Sequence, residues 1–255
     1  MEVNGHFKTD RGRMRSINED AGGIFYNKSG QLLAIVADGM GGHLAGEVAS
    51  GLAVSIIKEH WEKIDEIHTP VEAENWLQEI ISTMNTTIYN HASEKEEYDG
   101  MGTTVVVSVC TNDFVSIAHI GDSRCYLLND TKFEQLTSDH SLVNELIRTG
   151  QITELDAEQH PRKNVLLKAV GTEETVQPDV ETINWDSNNR VLLCSDGLTN
   201  KVSDDEIERR LRETEDIHSL VNEFIEIANE RGGEDNITLA IIQKLEQDQE
   251  GDPTC

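Results

Sequence analysis

Residues 35–50 of the 255-residue chain read IVADGMGGHLAGEVAS, an apolar run that passes through an aspartate into a glycine-rich turn. The run before Asp38 has the short, continuous apolar pattern of a strand buried on both faces. After the turn, apolar residues recur at helical spacing over 46–61. Because burying a carboxylate costs desolvation energy that a leucine would not, Asp38 calls for a functional explanation.

The remaining apolar patterns predict the fold class. Helical patterns come in pairs, first over 46–61 and 71–91, and later over 204–213 and a stretch ending at Gly232 and Gly233. Because strands come in runs and helices in pairs, we predict an α+β fold of antiparallel sheets with helix pairs outside. The other β-branched runs that predict strands are TTVVVSVCT, FVSIAHIGD, SRCYLLND, NRVLLCSD and NITLAIIQKL.

Two local patterns refine this prediction. Ser203 followed by Glu206 predicts a capping box at the start of the helix over 204–213. Between 141 and 171 the strand pattern is interrupted by a short helical pattern and a polar stretch, which we interpret as an inserted surface flap.

Composition favours one domain and argues against a membrane span. With 4 prolines, 19 glycines and no low-complexity linker, we predict a single domain over residues 1–245 and a frayed tail over 246–255. No window approaches ~18 uncharged apolar residues, and the first residues lack a signal-peptide pattern. Cysteines inside predicted strands suit a reduced cytoplasm, so a cytoplasmic protein without membrane insertion is expected.

The charge of the chain limits its partners. A formal net charge of −27 argues against binding to nucleic acid or to an anionic membrane. Nothing in the pattern indicates an obligate dimer, so a monomer is expected.

Five aspartates each lie within two residues of a predicted strand and have glycine nearby. One such residue alone is more typical of a turn, but strand ends of one sheet system meet in space. Ionised carboxylates in a half-buried cleft repel one another and lose hydration, so a cation must compensate. All-oxygen ligands favour Mg²⁺ or Mn²⁺. The five are Asp20, Asp38, Asp122, Asp196 and Asp235.

Two such ions suit the hydrolysis of a phosphate ester. At a separation of about 3.5–4 Å they lower the pKa of a shared water and provide a bridging hydroxide as nucleophile. Arg15, five residues before Asp20, is the candidate group to bind the phosphate. A nuclease or a small phosphate-ester or nucleotide hydrolase with a similar cluster is the alternative, although the net charge disfavours nucleic acid.

These residues, in this order, closely resemble the metal-dependent protein phosphatases of the PP2C (PPM) family. The resemblance implies hydrolysis of phosphoserine and phosphothreonine in proteins, and a four-layer α-β-β-α sandwich of two antiparallel sheets flanked by helix pairs. The DGMGGH form is similar to the bacterial branch, in particular to phosphatases paired with a membrane PASTA-type Ser/Thr kinase in Gram-positive bacteria. Such a kinase is therefore expected among the phosphoprotein substrates. The matching segments, which span nearly the whole chain, are RSINEDA, VADGMGGHLAGEVAS, GMGTT, AHIGDSRCYL, DHSLV, LLCSDGL and GGEDNIT.

The resemblance also implies the metal ligands for two core Mn²⁺ or Mg²⁺ ions and a weaker third one. Asp38 would bind both core ions, together with the carbonyl of Gly39. Asp122, with Asp196 facing it, would bind the third ion. The remaining core ligands would be Asp196 and Asp235 for the first ion and Asp20 for the second.

Other roles follow from the same resemblance. Glu19 would orient a metal-bound water, and Arg15 would take the substrate phosphate. Human-type members carry a histidine, a proposed general acid, where this chain has Met40. His43 is the candidate proton donor here, with a structural role for His43 or a metal-bound water as alternatives. A non-catalytic PP2C-like regulatory module is a further alternative. The loss of metal ligands from the sequence would indicate such a module.

Three neighbouring residues are predicted to be mainly structural. His119 is expected to be a hydrogen-bonded core residue rather than a ligand, and Arg124 is expected to pair with a local carboxylate. For Asp139 two roles stay open, a cap of the flap helix, which His140 beside it could also provide, or support of the third ion.

Overall fold

The structure is a computed structural model that describes residues 3–42, 44–94, 96–98 and 100–245. His43 and the tail predicted over 246–255 lie outside these described residues. Within the described ranges, none of the helices combines the length and the apolar character needed to cross a bilayer.

Two antiparallel sheets account for the strands in the described part of the chain. The first contains, in spatial order, β1 (Val3–Asp10), β11 (Ile237–Lys244), β10 (Arg190–Cys194), β7 (Arg124–Leu128) and β8 (Phe133–Gln135). The second contains β2 (Asp20–Tyr26), β3 (Leu32–Met40), β5 (Val105–Cys110), β6 (Phe114–Ile120) and β9 (Asp179–Asn184), and β4 (Gly102–Thr103) pairs with the end of β3. Buried side chains from both sheets, among them Val36 and Val106 on one and Val191 and Leu193 on the other, pack into one core between them.

Helix pairs cover the outer faces. The pair α1 (Ala45–Trp61) and α2 (Pro70–Ala92) packs on the second sheet, and the pair α6 (Asp204–Glu213) and α7 (Ile217–Glu230) packs on the first. This confirms the predicted α+β class and the α-β-β-α order of layers. The short helices are α3 (Leu142–Arg148), α4 (Glu154–Glu158), α5 (Asp196–Thr199) and a 3₁₀ turn at Glu96–Tyr98.

The first helix pair illustrates how local sequence produces these elements. Ala45, Ala49 and Ala53 are fully buried, and their small side chains let α1 pack closely on the sheet. Helix α2 begins where Thr69 accepts a hydrogen bond from the backbone N–H of Glu72 at 3.2 Å, and a proline opens its first turn. Both helices lie within one residue of their predicted bounds.

Helix α6 occupies the predicted residues, but the predicted capping box is wrong. Ser203 precedes the helix, yet its side chain makes no capping hydrogen bond. The Glu206 carboxylate instead accepts hydrogen bonds from Arg210 at 3.0 Å and from Arg231 at 2.7 and 3.0 Å. Charge-assisted bonds to two guanidinium groups are stronger than a bond to one backbone N–H, so they determine where this carboxylate points.

Residues 141–171 leave the sheets between β8 and β9 and carry α3 and α4. The segment is held at its base by an isolated bridge between Ser141 and Leu166, and by another between Thr103 and Val170. Leu155 and Leu167 are exposed on its surface. Its role as a flap stays a prediction.

Candidate active site

The strand ends that carry the predicted aspartates meet at one end of the sandwich. Asp20 and Asp38 are direct partners across the pairing of β2 with β3. Asp196 follows β10 and Asp235 precedes β11, and these two strands pair in the other sheet. Ser195 joins the two sheets here, since its hydroxyl donates to Asp20 Oδ2 at 2.8 Å.

An open cavity of about 370 Å³ lies at this meeting point and is called the catalytic cavity below. Asp20 is only 7 % exposed and does not line the cavity, but it is the cross-strand partner of Asp38, which does. The structure therefore brings together every predicted site residue that it describes. Those lining the cavity are Arg15, Glu19, Asp38, Gly39, Asp122, Asp196 and Asp235.

Glycine allows the backbone to approach closely at two positions around the cavity. A Cβ atom on Gly39 would lie 2.1 Å from the carbonyl oxygen of Gly46 and 2.5 Å from that of Glu19. A Cβ atom on Gly197 would lie 1.9 Å from the carbonyl oxygen of Asn236. Any larger residue would push β3 away from α1, or the start of α5 away from the start of β11, and so separate the aspartates.

The five aspartates, called the aspartate cluster below, bring several negative charges close together. Burial raises the pKa of Asp38 well above its usual range, and the carboxylates of Asp20 and Asp196 add to the shift. Burial raises the pKa of Asp20 to about 7 and that of Asp122 also to about 7. The positive charge that the protein supplies here is thus too small to offset the burial of Asp20, Asp38 and Asp122.

Several oxygens of this site are buried without a hydrogen-bond partner in the part of the chain that the structure describes. They are Glu19 Oε1, Asp20 Oδ1 and Asp196 Oδ1. Leaving a buried carboxylate oxygen without a partner costs about 1–3 kcal/mol or more. A hard divalent cation satisfies such oxygens directly, and the donor set is entirely oxygen. The residues present therefore fit the predicted Mn²⁺ or Mg²⁺.

Arg15 brings positive charge to the mouth of the cavity. Its Nη2 lies 2.9 Å from each carboxylate oxygen of Asp235, and its Nη1 lies 3.8 Å from Glu19 Oε2. The Arg15 side chain is 46 % exposed, so the guanidinium stays accessible to a ligand from solution.

Arg124 makes the predicted pair with a carboxylate, which is confirmed as Asp139. Its Nε and Nη2 donate to the two carboxylate oxygens at 2.8–3.1 Å. Asp139 is thus an ion-pair partner beside Asp122, and no side-chain cap of α3 comes from it, since Ser141 caps that helix.

Sequence reasoning missed several residues of the site. Asn236 accepts a hydrogen bond from the Glu19 backbone N–H at 2.7 Å, and Asn200 donates to Asp196 Oδ2 at 3.0 Å. The position of Asn236 directly after Asp235 was an available signal. Asn164 and Leu166 of the 141–171 segment also line the catalytic cavity, and no periodic pattern pointed to them.

A family model described as Protein phosphatase 2C matches residues 10–240. The chain belongs to this family. A PP2C relative from Listeria innocua, named serine/threonine phosphatase stp, is 46 % identical over 242 residues, which cover 95 % of this chain and 96 % of the relative. The predicted family and the prediction of a protein-serine/threonine phosphatase are confirmed.

Solved PP2C structures share the fold. Serine/threonine phosphatase Stp1 from Staphylococcus aureus is 42 % identical with a TM-score of 0.90, over 97 % of this chain and 96 % of that one. The catalytic domain of the protein phosphatase PstP, in complex with two manganese ions, is 32 % identical with a TM-score of 0.84, over 96 % and 99 %.

Proposed function

We propose that this PP2C hydrolyses phosphoserine and phosphothreonine in proteins at the catalytic cavity, in a reaction that depends on Mn²⁺ or Mg²⁺. The observation that carries the proposal is the convergence of the aspartate cluster, with buried and unpartnered oxygens, at an opening that Arg15 borders. The manganese-bound PstP relative supports the choice of metal.

The chain's own residues would hold two core ions and a third. Asp38 and the Gly39 carbonyl would bind both core ions, and Asp122 with Asp196 would bind the third. When bound, the ions lower the pKa of a water molecule to generate the nucleophile and neutralise the phosphoryl oxygens. Asp20 would bind one of the two core ions, and Asp196 and Asp235 would bind the other.

Arg15 and Glu19 would act directly on substrate and water. The guanidinium of Arg15 suits bidentate binding of a phosphate, and its pairing with Asp235 keeps it at the mouth of the cavity. Glu19 is held by its backbone, since its carbonyl accepts from Ser50 at 2.6 Å and from Gly39 at 3.1 Å. Its carboxylate would orient a water. His43, the proposed proton donor for the leaving alcohol, lies outside the described residues.

The wider setting of the enzyme rests on the resemblance to bacterial PP2C enzymes. The substrates would include a membrane Ser/Thr kinase, and the enzyme would act as a monomer in the cytoplasm. Residues 1–245 would form one catalytic domain in which 141–171 is a flap beside the substrate. The exposure of Leu155 and Leu167 and the place of Asn164 at the cavity support a flap that contacts substrate.

The proposal is tested by assaying the protein with Mn²⁺ on p-nitrophenyl phosphate, a phosphothreonine peptide and nucleotides, with and without EDTA. We expect hydrolysis of p-nitrophenyl phosphate and of the phosphothreonine peptide, and we expect EDTA to abolish both activities. Faster hydrolysis of nucleotides would favour a nucleotide hydrolase, and no hydrolysis of any of these substrates with Mn²⁺ would favour a non-catalytic module. Asp65→Asn, at an exposed aspartate far from the cluster in sequence, is a matched control for substitutions of the site aspartates.

A further inference from the structure

A histidine outside the catalytic cavity holds the turn that carries Asp122. The His140 ring Nδ1 accepts a hydrogen bond from the Gly121 backbone N–H at 3.1 Å, and the His140 backbone N–H donates to the Gly121 carbonyl at 2.9 Å. The backbone N–H and the carbonyl of Gly121 are thus both hydrogen-bonded to His140. Gly121 directly precedes Asp122, a residue that lines the catalytic cavity.

The turn at Gly121 has a conformation that requires glycine. Its φ of +105° is a backbone conformation that residues other than glycine rarely adopt. The backbone N–H of Asp122 itself donates a hydrogen bond to the Asp122 carboxylate. The position of this carboxylate therefore follows the backbone of the turn, which His140 holds.

The other ring nitrogen of His140 fixes which tautomer is present. Because Nδ1 accepts a hydrogen bond, the neutral ring carries its proton on Nε2, which lies 3.2 Å from Asp179 Oδ2. His119 stacks against the same ring, with centroids 4.7 Å apart and an interplanar angle of 12°. Its Nε2–H donates to the Ser138 carbonyl at 3.0 Å, so the prediction of a hydrogen-bonded core residue at His119 is confirmed.

His119, His140 and Asp179 also have the composition of a transition-metal site, and their ligand atoms lie within 4.8 Å of one another. The bond from Gly121 argues against that use. A neutral imidazole that binds a metal through Nε2 carries its proton on Nδ1, which would then meet the Gly121 N–H as a second donor. The group is better explained as a hydrogen-bonded support for the turn.

His140 also connects this turn to the base of the 141–171 segment. Its carbonyl accepts from the Leu167 backbone N–H at 2.7 Å, where the segment returns to the sheets, and Ser141, where it begins, is the next residue. One residue therefore contacts the turn before Asp122 and both ends of the segment.

We propose that His140 is a positioning residue, oriented by Asp179, that holds Gly121 so that Asp122 is placed to bind the third metal ion. The inference rests on the proposed function, since it assigns a purpose to the Asp122 site. Groups that position ligands from outside the coordination sphere affect metal affinity by about 10- to 100-fold.

Two substitutions separate the two bonds of the His140 ring. In His140→Asn the side-chain oxygen can replace Nδ1 and accept from Gly121, while the contact with Asp179 is lost. In His140→Gln the side-chain amide can replace Nε2 and donate to Asp179, while the acceptor for Gly121 is lost. His160→Gln is the matched control, because His160 Nδ1 also accepts a backbone N–H, that of Arg162 at 3.2 Å, without contacting Gly121.

The experiment is titration of the full chain with Mn²⁺, with free Mn²⁺ measured by electron paramagnetic resonance, alongside Tm in EDTA. His140→Gln is expected to weaken the weakest Mn²⁺ site by about 10-fold or more, and His140→Asn and His160→Gln by less than about 3-fold. Equal loss in both His140 variants, or wild-type Mn²⁺ binding in His140→Gln, would overturn the proposal. Wild-type protein that binds no Mn²⁺ would instead contradict the proposed function itself.

Discussion

Two carboxylate-rich regions of this PP2C differ in how the negative charge of their carboxylates is compensated. On α6, Glu206 is surrounded by arginines, and the hydrogen bonds from Arg231 lower the pKa of its carboxyl. In the catalytic cavity, Asp38 is surrounded by other aspartates, and burial raises the pKa of its carboxyl well above the usual range. The first region carries its counter-charge within the chain, whereas Arg15 supplies only part of the counter-charge to the second.

The difference separates structural from functional acidity. A guanidinium group held by the fold neutralises a carboxylate without any bound ion. A cluster that depends on exchangeable cations keeps open coordination positions when the ions bind. The cost is a protein that is less stable without metal, since its repelling carboxylates remain buried.

The sharpest way to break this comparison is Asp38→Asn. We expect phosphatase activity with Mn²⁺ to fall by more than about 100-fold, because Asp38 would bind both core ions. The Tm in EDTA should rise, because the substitution removes one of the repelling carboxyls. Activity assays and thermal unfolding with and without Mn²⁺ measure both effects, with Asp65→Asn as control. Full activity would refute the assignment of Asp38 as a ligand.

Arg15→Ala tests the cation that the chain does supply to the catalytic cavity. We expect KM for a phosphopeptide to rise by about 10-fold with a smaller change in kcat, because ground-state binding of the phosphate is lost. Arg15→Lys, which keeps the charge without the planar fork, should recover part of this loss. Steady-state kinetics measure KM and kcat for both variants. An unchanged KM in Arg15→Ala would contradict the phosphate-binding role of Arg15.

The pH dependence of stability should differ with and without metal. Asp20 and Asp122 have ordinary pKa values of 3.8 that rise to about 7 in the folded protein. Between about pH 4 and 7 the folded form binds protons that the unfolded form has lost, so stability without metal falls as pH rises. The slope is at most about 1.4 kcal/mol per pH unit for each carboxyl, and it vanishes above about pH 7.

Saturating Mn²⁺ should remove this slope, because bound ions keep the carboxylates ionised. Denaturant unfolding at several pH values, in EDTA and in Mn²⁺, provides the measurement. Asp122→Asn should reduce the slope in EDTA without abolishing it. Equal slopes with and without Mn²⁺ would argue that the ions do not bind these aspartates.

Glu206→Gln tests the region of α6 in which arginines neutralise the carboxylate, and it should have the smallest effect on stability and activity. We expect a loss of about 1 kcal/mol in the free energy of unfolding, because paired guanidinium groups near the surface lose their partner. Activity and Mn²⁺ dependence should stay at the wild-type level. Chemical denaturation and the standard assay are sufficient, and a change in Mn²⁺ dependence would show that the two regions are coupled.

Much of the fold could be predicted because its helices and central strands have strong patterns. The bounds of α1, α2 and α6 match the prediction within one residue, whereas β1 and β8 were missed. Most residues of β1 are only partly buried and β8 has three residues, so neither has a clear apolar run. The α4 helix was also missed, because its residues are mostly polar and exposed.

The site was predictable where its residues adjoin strong strand patterns, and not where a role depends on contacts between distant residues. Each aspartate of the cluster ends or precedes an apolar strand, so it was visible in the sequence. The role of His140 was not, although the sequence singled the residue out as a candidate cap, because this role depends on bonds to Gly121 and Asp179, which are 19 and 39 residues away. Asn164 likewise reaches the cavity only because the 141–171 segment folds back over it.

The sequence by itself determined most of the elements, the layers and the aspartates at the strand ends, since apolar periodicity and local residue chemistry are properties of neighbouring residues. Only the tertiary structure decided which carboxylates share one cavity, which are balanced by arginine, and which residue holds the turn before Asp122. Charge balance and backbone support depend on distances between residues that are far apart in the chain. No local pattern carries that information.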